Sequence, residues 1–96
     1  SNIEEDAGAA TSIDENAYGI VSVYPNPFNE STTITFYNDG DSYELLVYDM
    51  LGNRVRRVRN IVSDRVVLEK GDLTSGIYFI ELKSETQTLK GKVLIE

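Results

Sequence analysis

The sequence predicts an all-β fold, an antiparallel β-sandwich of about seven short strands, and three observations predict it. From Gly19 onward apolar residues alternate with polar ones at period two. β-branched and aromatic residues concentrate in those alternating runs, as a pleated, half-buried surface favours. Clusters of Gly, Asn, Asp and Pro separate the runs at short intervals, and no segment carries an amphipathic helical repeat of useful length. Seven strands that each have one apolar face need two sheets to bury those faces, so the expected architecture is immunoglobulin-like.

Taken in order, residues 1–18 read as an acidic flexible linker. Glu4, Glu5, Asp6, Asp14 and Glu15 stand there without a balancing base, among Ala, Gly, Ser and Thr, a composition too poor in apolar residues to offset its ordering entropy. The domain proper is expected over 19–96. Its first strand is Ile20 to Tyr24. The second is Thr32 to Tyr37, where Ile34 and Phe36 alternate with Thr33 and Thr35. Asn38-Asp39-Gly40-Asp41 supplies a Gly and Asx residues able to adopt positive φ, so it is expected to close a tight hairpin to the third strand, Tyr43 to Asp49. Leu51-Gly52-Asn53 is a turn before Asn53 to Arg59, and Lys70-Gly71-Asp72 another after Arg65 to Glu69. Ile77 to Lys83 is apolar on both faces, which predicts a central strand. In the last strand, Leu89 to Ile95, Leu89, Val93 and Ile95 point inward while Lys90 and Lys92 point to water, and Gly91 marks a bulge or a close backbone approach.

Composition narrows the function. Ninety-six residues, 41 % hydrophobic, suffice for one small core without an enclosed catalytic cleft. No run approaches the ~20 apolar residues that span a bilayer, and neither a basic segment nor an apolar block opens the chain, so an export leader is expected on a longer parent protein. With no His and no Cys the commonest general base and the strongest nucleophile are missing, and no enzyme is expected. Neither a cofactor nor a metal is expected. Asn38, Asp39 and Asp41 offer hard oxygen ligands but lack the alternating set and later glutamate of a calcium loop. Net charge is −7, and five of the sixteen acids but none of the nine bases lie before residue 19, so the rest is nearly balanced. Arg54, Arg56, Arg57, Arg59 and Arg65 form a basic cluster without interleaved aromatics. On a strand such charges guard an edge against pairing, and nucleic acid is not an expected partner.

Four short motifs remain: Pro25-Asn26-Pro27 after the first strand, Asp49-Met50-Leu51-Gly52 after a central strand, Gly76-Ile77-Tyr78 entering a late strand, and Lys92-Val93-Leu94-Ile95 at the end. In that order and spacing, over about residues 20–96, they resemble the C-terminal sorting domain of the bacterial type IX secretion system. One departure is the end, where Gly91 precedes Lys92 and Glu96 follows Ile95. The resemblance implies a domain carried behind an N-terminal cargo, recognised in the periplasm by the type IX outer-membrane translocon, and removed by a sortase-like peptidase, the cargo then being anchored at the cell surface or released. It places the cut in the linker between Asp6 and Ala17, where Gly8, Ala9 and Ala10 offer the least steric resistance.

Each motif also has a structural reading. Pro25, Asn26 and Pro27 form a rigid turn as readily as a recognition surface, Asp49 and Gly52 close a turn, and Tyr78 sits in the core with its hydroxyl at the rim. The last strand either completes the sandwich or adds to a receptor edge, and it can swap into a homodimer. The alternative function is a carbohydrate-binding or adhesive module, with the six tyrosines as ring platforms.

Overall fold

The computed structural model describes residues 21–96, and the linker and its Gly8–Ala10 region lie outside them. Seven strands and no helix are present among the described residues: β1 Val21–Tyr24, β2 Ser31–Phe36, β3 Tyr43–Tyr48, β4 Arg54–Ile61, β5 Arg65–Glu69, β6 Gly76–Lys83 and β7 Thr88–Ile95. They form two antiparallel sheets, β1-β2-β5 and β4-β3-β6-β7, packed face to face. The period-two runs thus become strands as expected, with ends shifted by a residue or two. The strand order is immunoglobulin-like, with the fourth strand in the four-stranded sheet because the tight turn after Tyr48 folds β4 back onto β3.

The core lies between the sheets. Ile34, Leu45, Val47, Ile80, Leu82 and Val93 are essentially inaccessible to water, and Phe36 meets Tyr43 edge-on with ring centroids 5.0 Å apart. β6 is central, between β3 and β7, which accounts for the apolar residues on both its faces. On its outer face Phe79 lies opposite Tyr48, and Ile77 opposite Leu94.

Two expectations are corrected. Asn38–Asp41 does not close a hairpin: β2 and β3 belong to different sheets, and the segment carries the chain across the sandwich. Its turn chemistry is as read, since Asn38 Oδ1 accepts the N–H groups of Gly40 (2.8 Å) and Asp41 (3.0 Å) and Gly40 has φ +99°. Turn residues dictate local φ, whereas the sheet that the next strand joins depends on which apolar face is left to cover. Gly91 is not a bulge either, because β6 and β7 pair without interruption over eight residues. It is a close approach: a Cβ there would stand 3.3 Å from Ile80 and 3.5 Å from Val21, where β7 passes under β1.

Candidate functional site

The ends of β1, β3, β5 and β7 and the starts of β2, β4 and β6 lie at one end of the sandwich. All four motifs are therefore gathered there, although they are spread through the chain. Chain direction alone dictates this, because each motif leaves or enters a strand on that side.

The Pro-Asn-Pro turn is built against the last strand. Both prolines follow cis peptide bonds, and Asn26, between them, points its carboxamide at β7. Asn26 Oδ1 accepts the Leu94 N–H at 2.9 Å, and its Nδ2 donates to the Lys92 carbonyl at 3.4 Å. The side chain thus supplies the acceptor and, more weakly, the donor that a neighbouring strand would present. Phe28 continues the pairing through its backbone: its N–H donates to the Leu94 carbonyl (3.0 Å) and its carbonyl accepts the Glu96 N–H (2.8 Å), a parallel bridge opposite Ile95. The Phe28 ring is buried with Ile95. The outer edge of β7 from Lys92 to Glu96 is therefore covered by Asn26–Phe28. On the other side of the turn Thr32, a buried polar residue, donates from its hydroxyl to the Pro25 carbonyl at 2.7 Å.

Asp49 organises the adjoining turn. Its Oδ1 accepts the N–H groups of Leu51 and Asn53, each at 2.9 Å, and its Oδ2 accepts the Asn53 amide at 3.3 Å. These donors, the Asn53 N–H foremost, hold the carboxyl below its ordinary pKa. Gly52 has φ +88° with open space around its Cβ position, so the need for glycine is conformational. Gly76, at φ +147°, is likewise required by its backbone and lies opposite Ile95. Tyr78 is buried, and its hydroxyl donates to the Thr74 carbonyl at 2.8 Å, which is the rim partner expected for it. A cavity of about 230 Å³ lies between the two motifs, bordered by Asp49, Met50, Leu51, Thr74, Gly76 and Ile77.

The candidate residues thus divide by what they present. Val93, Ile95 and Tyr78 are core. Asp49, Gly52 and Gly76 shape backbone. Leu94, 40 % exposed, continues outward into Ile77 and Phe79, and with Met50 and Leu51 on the Asp49 turn forms an apolar outer surface at the motif end. Phe28, Tyr48 and Phe79 were not among the sequence candidates. Phe28 had a signal, an aromatic placed directly after Pro-Asn-Pro, whereas Tyr48 and Phe79 become neighbours only through the β3–β6 register.

Residues 22–96 match the family model described as the secretion system C-terminal sorting domain. The chain belongs to this family. The sorting domain is thus a C-terminal type IX secretion signal, and it marks its bearer for export across the outer membrane to the cell surface or the medium. A search among curated proteins finds no match.

Proposed function

We propose that the motif end of the sorting domain is the surface through which the type IX translocon reads it, and that a sortase-like peptidase then cuts the acidic segment near Gly8, Ala9 and Ala10. The N-terminal cargo is anchored on the cell surface or released, after transit through the periplasm. The observation that carries this reading is the Asn26 clasp on Leu94, which joins the first motif to the last across 68 residues of sequence. A composite of two distant segments is recognisable only when the domain is folded. That favours a receptor that reads a finished end over one that captures a loose strand. It also weighs against a homodimer formed by swapping β7, since a swap would have to release Asn26 and Phe28 from Lys92, Leu94 and Glu96.

The described tyrosines give the sugar-binding alternative little support: Tyr43 and Tyr78 are buried, the exposed Tyr24 and Tyr37 stand at opposite ends of the sandwich, and Tyr48 is half-buried opposite Phe79. The test places the whole chain behind a periplasm-targeted reporter in a bacterium with a working type IX system, followed by mass spectrometry of the reporter's new C-terminus. A surface or medium reporter ending between Asp6 and Ala17 is expected. A full-length fusion held in the periplasm with the domain folded would overturn the reading.

A further inference from the structure

The lateral edge opposite β7 is basic, and the motif end does not use it. β4 is an edge strand with four arginines between Arg54 and Arg59. A register shift between the Val47 and Tyr48 pairings lets Arg54 and Arg57 share the outer face, opposite Tyr48 and Leu46. Arg59, one residue beyond Val58, which pairs with the inward Leu45, is on that face too. Among the described residues Glu44 is the one carboxylate that reaches this row: it pairs with Arg57 and lies 3.8 Å from Arg59, while Arg54 has no ion pair. Lys83, in register with Glu44, extends the cations around an open cavity of about 330 Å³ that Arg57, Arg59, Asn60 and Glu85 also border. Guarding an edge requires charge but not one sign, and like charges on neighbouring positions repel. An excess of guanidinium along one edge therefore calls for an anionic neighbour.

We propose that this edge is the docking surface for the acidic segment of the same chain, residues 1–20, which crosses the outer face of β4 with its carboxylates on Lys83, Arg59, Arg57 and Arg54. The segment carries Glu4, Glu5, Asp6, Asp14 and Glu15 and no base. It joins the fold at Val21, at the end of the sandwich where Lys83 and Arg59 also lie but over β7, so to dock it has to cross that end from the β7 side to the β4 side. At about 3.3 Å per extended residue, Asp14 and Glu15 have a reach of about 20 Å from Val21, and Glu4 to Asp6 about 50 Å, enough to pass the whole arginine row. Tethering holds the segment at a local concentration on the order of millimolar, so modest ion pairing populates the docked form. Docking concerns where the segment lies and holds whether or not the domain is cut there.

Residues 1–96 include no cysteine, so Ala10→Cys takes a single spin label in this chain. At low salt the amide signals of Arg54 to Asn60 and of Lys83 are expected to lose intensity, independently of protein concentration. They recover in about 0.5 M NaCl, where the Debye length falls to about 4 Å. Asp14→Asn with Glu15→Gln, outside the folded domain, weakens the effect, and Arg54→Ser with Arg59→Ser abolishes it while the signals of Ile34, Leu45 and Val93 keep their positions. Three outcomes would overturn the proposal: no salt-sensitive loss on β4, loss centred on Tyr48, Phe79 and Leu94, or loss that vanishes on dilution and so reports a second copy.

Discussion

Asn26 shows how a single side chain can stand in for a strand. Its bond to the Leu94 N–H is short and its bond to the Lys92 carbonyl long, so the acceptor matters more than the donor. Asn26→Asp keeps the acceptor and should be nearly neutral, whereas Asn26→Ala should cost about 0.5–1.5 kcal/mol, because water replaces only part of the lost bond at this exposed edge. Urea denaturation of the two variants checks the order. Gly52 works through its backbone: with φ +88° and no neighbour near a Cβ, Gly52→Ala should cost about 1–2 kcal/mol from strain alone. Asp49 links the same turn to pH. Its folded-state pKa lies below the unfolded one, so its contribution is present above the unfolded value, about 3.9, and is lost as pH falls through the folded value. Asp49→Asn retains an Oδ1 acceptor but does not titrate. Between pH 5 and 2 its stability should therefore fall less steeply than that of the parent chain, as the same denaturation series at each pH would show.

The last strand serves both the core and the surface, and its alternate residues separate the two roles. Ile95 is 1 % exposed and packs with Phe28, so Ile95→Ala should cost about 2–5 kcal/mol, and removing residues 93–96 should abolish the cooperative thermal transition in calorimetry. Leu94→Ser alters the outer surface and should cost about 0.5–1.5 kcal/mol, since the side chain is partly covered beside Ile77 but outside the core. Export failure on truncation therefore reports unfolding, and Leu94→Ser is the informative change. At this scale the strands were legible in the sequence, because alternation such as Ile34 and Phe36 among threonines follows directly from one buried face. The turn chemistry of Asn38 to Asp41 was legible as well. The sheet crossing there was not, since it depends on which apolar faces remain to be covered. The clasp of Asn26 on β7 was also hidden, because pairing between residues 66 and 68 apart leaves no local signature.

For the whole molecule, strand direction brings four dispersed motifs to one end, while the basic edge runs along β4 away from it and Arg65, at the start of β5, lies at the opposite end. The sequence motifs were legible as an ordered set, and their convergence was not, because it requires every connection to reverse the strand direction, those between the sheets included, and the motifs themselves do not specify that. On the reading proposed above, the type IX machinery recognises this end once the domain is folded. The most direct test fuses a periplasm-targeted reporter to three chains of matched thermal stability: the parent, Leu94→Ser with Phe79→Ser at the motif end, and Asp41→Asn with Glu85→Gln at the opposite end. Quantified by surface and medium fractionation, the motif-end variant should stay in the periplasm while the other two are exported. Export of the motif-end variant at the parent level, or loss of export only from the opposite-end variant, would contradict the claim.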